Sequence, residues 1–333
     1  MNATFSLQDA YELHQAGRLD DAEHVYRAWL QLHPDNPDAM HLLGMLRHQR
    51  GDSVEALQLI ERAHDLQPDN AQLVLAHASL LLGAGNHAAA AVNYTHALAL
   101  DPNLAGAHVG MGQLALMRGD RKTAEEHFRT ALRASEDGHA LAGLGAIALE
   151  SNEIEAAMRY LTRAAELVPD YPMIQFMLGQ TFCRRGLYAF AEAALENALR
   201  LQADLHAARV WLGEVLLKDK RPGEAQQHYE ALLPIAGFAV VAQVGLADVA
   251  RMQERDDDAI LHYRAALAID PKLSSPTRML AWMLAIQGRN EEAIAAYDIY
   301  LAYVPNDHDM RALQTDVIKL HEAGRRNRNP GLI

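Results

Sequence analysis

Large apolar, small and polar positions recur along this chain with a period of 34 residues. Three prolines set the ruler: Pro34, Pro68 and Pro102 fall 34 residues apart, and Pro169, Pro271 and Pro305 keep the phase after one deletion. In this register nine blocks begin at Ala3, Pro37, Ala71, Ala105, Gly138, Pro172, His206, Val240 and Ser274, and they fill residues 3–307. Looking for such self-similarity comes before any local assignment, because each repeat is one supersecondary unit.

Two columns test the register. Position eight reads Ala10, Gly44, Ala78, Gly112, Gly145, Gly179, Gly213, Ala247 and Ala281, so it is always Gly or Ala. Position twenty reads Ala22, Ala56, Ala90, Ala124, Ala157, Ala191, Ala225, Ala259 and Ala293. Small side chains let two antiparallel helices approach closely, and a larger one there overpacks. Position twenty-four supplies bulk: Tyr26, Ile60, Tyr94, Phe128, Leu161, Leu195, Tyr229, Tyr263 and Tyr297. Position seven is Leu or Met except at Asp9 and His77.

The turns are legible too. Position fifteen is Gly17, Gly51, Gly85, Gly119, Gly186 or Gly288, with Asn152 in a seventh block. Gly and Asn tolerate the left-handed conformation that ends a helix. Lys220 and Glu254 occupy this position in blocks seven and eight, whose turns are expected to close differently. Proline at position thirty-two stops the second helix. Each block is therefore predicted as helix, tight turn, helix, stop.

Small at eight, Ala at twenty, aromatic or Leu at twenty-four and Pro at thirty-two resembles the tetratricopeptide repeat. The resemblance implies an all-α fold: a right-handed α-solenoid of antiparallel helix pairs, with the first helices lining a concave groove. It also implies a non-catalytic scaffold or adaptor for other proteins. A solenoid's last repeat needs a polar-backed cover. Residues 308–323 carry Met310, Leu313, Val317 and Leu320 at three- and four-residue spacing, and read as a capping helix closed by Gly324. Residues 324–333, with Arg325, Arg326 and Arg328, read as a flexible basic tail. Ser6 and Asp9 depart from the pattern, as expected of a solvent-facing first helix.

In the family, positions two, five, nine, twelve and thirteen, and often six, face the groove. Its expected first third offers Tyr11, His14, His41, Met45 and His48. The middle is small and neutral, with Gly106, Gly110, Ala142, Gly143 and Ala146, and would let a partner approach the backbone. The last third offers Met173, Phe176, Gln180, Arg184, Trp211, Glu214, Lys218, Asp248, Arg251, Arg278 and Trp282. Aromatics and Met beside Arg are the makings of a binding hot spot. Phe176, Trp211 and Trp282 fit inter-repeat core as well as groove, since periodicity does not separate the two. Neither the Lys/Asn carboxylate clamp of chaperone adaptors nor the Asn ladder of O-linked N-acetylglucosamine transferases is present. Blocks one and two resemble repeat arms of bacterial sulfotransferases and glycosyltransferases, which implies an alternative role as recruiting accessory to a separate enzyme.

Composition narrows the chemistry. The 333 residues carry a net charge of −13, which disfavours nucleic acid as a partner. Cys183 is the single cysteine, so no internal disulfide is possible, and it reads as a packed residue. Met1–Phe5 lacks the features of a secretory signal, and the apolar run at Ile235–Val241 is too short to span a bilayer. The chain reads as cytoplasmic and, being Ala-rich, bacterial, acting as a monomer or weak dimer. Histidine numbers 17; His14, His41 and His48 admit a metal or pH role, but no carboxylate or cysteine completes a ligand spacing. No phosphate loop, HExxH or nucleophile elbow occurs. No enzyme activity, cofactor or metal is expected; the expected ligand is a protein or peptide in the groove.

Overall fold

The computed structural model describes residues 6–328. Among them it contains helices and no strands, arranged as an all-α helical repeat solenoid. Two compact units divide the chain, residues 1–169 and 170–333. In the first, α1 (Leu7–Gln15) pairs with α2 (Leu19–Leu32), α3 (Pro37–Gln49) with α4 (Ser53–Leu66), α5 (Ala71–Gly83) with α6 (His87–Leu100), α7 (Ala105–Met117) with α8 (Arg121–Ala134), and α9 (Gly138–Glu150) with α10 (Ile154–Leu167). In the second, α11 (Pro172–Arg185) pairs with α12 (Tyr188–Leu201), α13 (His206–Lys218) with α14 (Pro222–Glu230), α15 (Ala239–Met252) with α16 (Asp256–Ile269), and α17 (Ser274–Ile286) with α18 (Asn290–Tyr303); α19 (His308–Arg328) packs on α18.

The core of each hairpin is built from the three recurrent columns. Every alanine of position twenty is 0 % exposed. Where position eight is glycine, the bulky residue of position twenty-four fills the space of the missing side chain. A Cβ added at Gly112 would meet the Phe128 ring at 2.6 Å, and one at Gly179 would meet Leu195 at 2.5 Å. Such distances are closer than any real Cβ contact, so these helices are as near as an unsubstituted Cα permits.

Start and stop signals act as their chemistry requires. The second helices end at Leu32, Leu66, Leu100, Leu167, Ile269 and Tyr303, each two residues before its proline. The residue before proline is pushed out of the helical region, and Val304, for example, sits at φ −129°, ψ 68°. The next first helix is then capped: Asn36 Oδ1 accepts from Ala39 N–H at 2.8 Å, and Asp137 Oδ1 from Ala140 N–H at 2.8 Å.

Three local expectations change, and a fourth, the solvent-facing start of the first helix at Ser6 and Asp9, gains a cause. The turns at Lys220 and Glu254 do not close differently: both residues hold left-handed φ values of 62° and 59°, beside Asn152 at 59° and the six glycines. Tertiary packing of the hairpin over-determines the turn, and the side chain accepts the strain. Ser6 and Asp9 form a capping box, with Asp9 N–H donating to Ser6 Oγ at 3.1 Å and Ser6 N–H to Asp9 Oδ2 at 2.7 Å. The second helix of block seven stops early, at Glu230, because Pro234 has no N–H for the Glu230 carbonyl and its ring would clash there. Finally, α19 passes through Gly324 to Arg328, so that glycine is not its end; the Arg325, Arg326 and Arg328 side chains and residues 329–333 lie outside the described residues.

Candidate functional site

The first helices carry all sixteen expected groove residues, and each keeps contact with solvent. Tyr11, Met45, Met173 and Trp282 are large apolar side chains left substantially exposed. In the first unit, His14 Nε2–H donates to Gln49 Oε1 on α3 at 2.9 Å, and its ring meets the edge of Tyr26. This engages His14 with the neighbouring hairpin's glutamine and not with His48, which is exposed. His41 is half-buried, and desolvation pushes its pKa below the ordinary value, partly opposed by Asp38. Among the described residues no three His, Cys, Asp or Glu side chains converge as a metal site would require.

The small-residue middle of the expected groove is partly core, with Gly106, Gly143 and Ala146 half-buried. Gly110 and Ala142 are buried. A Cβ on Gly110 would lie 2.1 Å from Tyr94 Cζ, and one on Gly143 2.4 Å from the Phe128 ring. These glycines receive the aromatic ring of the preceding hairpin, so their smallness serves the stacking of hairpins. Gly106 is similarly faced by Leu75.

In the second unit the expected residues separate into two kinds. Phe176 and Trp211 are half-buried and pack on the cluster around Leu195, Leu212 and Tyr229. Trp211 sits six residues into its block, the place of Gly110 and Gly143 in theirs, but over Leu195's hairpin the space accepts a large side chain. Beside them Lys218 Nζ pairs with Glu214 Oε1 at 2.9 Å. Cys183 is buried; desolvation raises its thiol pKa, with Lys218 pulling the other way, so it is held as a neutral thiol. Met173, Gln180 and Arg184 lie along α11, with Met173 and Arg184 exposed.

Arg251, Arg278 and Trp282 are brought together. They line a cleft of about 590 Å³ whose other wall is α19, through Leu313, Asp316, Val317 and Leu320. Asp248 stands beside it: its Oδ1 accepts the Tyr263 hydroxyl at 2.8 Å and lies 3.5 Å from Arg251 Nη2. Trp282 is 53 % exposed, Ile286 64 % and Leu320 62 %. Ile286 was missed as a candidate although it holds position thirteen of its block, the family's groove-facing place. Leu313 and Leu320 were read only as cover. On α19 the buried ridge is Met310 and Val317, while Leu313 and Leu320 form a second apolar ridge on the cleft.

Family models described as tetratricopeptide repeat match residues 13–80, 81–147, 176–240 and 238–274. Among curated proteins the chain is similar to the Protein CTR9 homolog of Arabidopsis thaliana, 24 % identical over 215 residues, and to the Type IV pilus assembly protein PilF of Pseudomonas aeruginosa, 27 % identical over 149 residues. These matches cover 61 % and 44 % of this chain, but only 20 % and 59 % of the relatives' own lengths. Among solved structures, the Cut9–Hcn1 hetero-tetramer of APC/C matches with a TM-score of 0.66 and 21 % identity, over 85 % of this chain and 57 % of that one. The Pseudomonas aeruginosa PilF structure matches with a TM-score of 0.54 and 22 % identity, over 63 % of this chain and 96 % of that one. At these identities the likeness is one of fold. No described helix is long and apolar enough to cross a membrane.

Proposed function

The chain belongs to the tetratricopeptide repeat family, whose members are protein–protein interaction scaffolds, and from that premise we propose that it is a non-catalytic adaptor holding a partner protein on its first helices. The observation that carries this reading is the contrast between the two helix types in the second unit. The first helices leave Met173, Lys218, Arg251, Arg278 and Trp282 exposed without using them in the core. Lys218 and Arg251 pair within their own helices, with Glu214 and Asp248, whereas Arg221, at the N-cap of a second helix, pairs across hairpins with Glu192 at 2.6 Å. Aromatic, Met and Arg side chains left at a surface are the types that dominate binding energy. The resemblance to a type IV pilus assembly protein of a bacterium supports a role in assembling other proteins.

The test is affinity capture from a native lysate with three forms of the full chain, each first shown to melt cooperatively. One form is intact. The second carries Ala at Tyr11, Met45, Met173, Lys218 and Trp282. The third carries Ser at Val54, Val92 and Leu261, exposed apolar residues of second helices. A protein retained by the first and third forms and lost by the second supports the reading; loss from the third alone moves the site to the second helices and overturns it.

A further inference from the structure

We propose that the cleft between α17 and α19 is a docking site for a short amphipathic segment of a partner protein, whose bulky apolar side chains fill the trough and whose Asp or Glu side chain pairs with Arg278. This rests on the scaffold reading and names the partner's chemistry at one place on it.

The walls make the first argument. Along α17 the side chains of Leu280, Met283 and Leu284 enter the core, whereas Trp282 and Ile286 stay exposed and line the cleft. Along α19 Met310 and Val317 are committed to the same core, leaving Leu313 and Leu320 for the cleft. Two helices thus present their second apolar ridges to one trough. Its volume falls within the roughly 300–1,000 Å³ of pockets that hold discrete ligands.

Charge makes the second. Arg278 lines the cleft and forms no ion pair within the described residues. Arg251 has only the longer contact to Asp248, a carboxylate already engaged by Tyr263. Asp316 is the single carboxylate in the lining. In a chain of net charge −13, this trough sets the Arg278 guanidinium, which acts only weakly on Asp307, beside exposed apolar surface. A guanidinium offers a bidentate fork to a carboxylate, and that pairing is stronger where apolar side chains exclude water. Repulsion from the rest of the acidic surface is screened beyond about 10 Å in ordinary salt.

Another cavity of this unit differs in its charges. It measures about 520 Å³ and is lined by Leu267, Ile299 and Tyr303, but its charges, Arg264 and Glu292, are paired with each other. It has apolar surface and no unsatisfied charge, so it sets no preference for a charged partner.

The test selects phage-displayed random dodecapeptides on the full chain, on R278E and on W282A. Arg278 makes no bond whose loss would unfold the repeat, and thermal melts confirm that the variants fold. Peptides enriched on the intact chain are expected to carry two or more bulky apolar residues and an Asp or Glu. R278E should reverse the acidic preference toward Lys or Arg, and W282A should weaken selected peptides by about thirtyfold or more. Synthetic peptides with amidated and free C-termini separate a side-chain carboxylate from a chain terminus; binding that requires the free terminus overturns the proposal. So does an absence of enrichment, or an enrichment indifferent to Arg278 and Trp282. If the lysate partner is lost from the five-site variant but kept by R278E and W282A, the cleft proposal fails while the scaffold reading stands.

Discussion

Gly110 lies so close to Tyr94 that a Cβ built on it would sit 2.1 Å from the ring's Cζ. The ring belongs to one hairpin and the glycine to the next, so this contact is the joint between two repeats. Gly143 against Phe128 and Gly245 against Tyr229 repeat it, each at 2.4 Å. Replacing Gly110 by Ala should therefore destabilise the chain by about 1–3 kcal/mol through overpacking. Urea denaturation of G110A, Y94L and the double variant measures it, and the double variant should lose less than the sum of the singles. Additive losses would show that the two residues do not share a joint.

Ala157 makes the corresponding case inside a hairpin. Its side chain is fully buried, and one turn on in the same helix Leu161 fills the space over Gly145. Ala157→Leu is expected to cost about 1–3 kcal/mol. An unchanged denaturation midpoint would mean that this position is not the point of close helix approach.

Lys220 and Glu254 hold left-handed backbone with ordinary side chains. That conformation costs an L-residue about 1–2 kcal/mol, and glycine removes the strain while adding freedom to the unfolded chain. Lys220→Gly and Glu254→Gly should each gain about 0.5 kcal/mol, and a Val at either place should lose more than that. Calorimetric midpoints of the four variants decide it.

Stability should fall in two steps as pH drops. His77 and His127 are desolvated and face a second imidazole, His64 and His108; His108 Nδ1 and His127 Nδ1 are 3.0 Å apart. Burial first, and the neighbouring His second, lower their pKa values. An unfolded His then takes its proton before the folded one, so stability is lost as pH falls below about 6.5. A second step comes lower. Hydrogen bonds from Arg289 and Arg264 push the Glu292 pKa down to about 2. Its contribution is present above the ordinary carboxylate range and disappears as pH falls toward the folded value. The double variant H77Q/H127Q should make the fall of the midpoint between about pH 5 and 7 shallower, the remainder coming from His41, His228 and His262, whose pKa values burial also lowers, and should leave the acid step in place. A slope unchanged in the double variant would remove these two residues from the first step.

Column by column, the sequence by itself determined the helices, their turns and the core: small residues at eight and twenty, bulk at twenty-four, proline at thirty-two. These are local and periodic constraints; the repeat states the small and bulky columns in all nine blocks and the proline in six. It also marked Trp282, Arg251 and Arg278 as candidates. Only the tertiary structure decided between core and surface for residues of the same type. Gly110 reads as open backbone until the Tyr94 ring of the preceding hairpin occupies the space, and Trp211, at the same position six of its block, is half-buried on the core where Gly110 admits no side chain at all. Leu313 and Leu320 were indistinguishable from Met310 and Val317 by spacing, because α19 carries two apolar ridges and the contact with α17 and α18 consumes one. Lys220 and Glu254 violate the turn's residue preference, yet the packed hairpin on either side holds them in it. Periodicity reports which residues share a face of their own helix; what that face meets depends on the neighbouring repeat, and that is a property of the assembled fold.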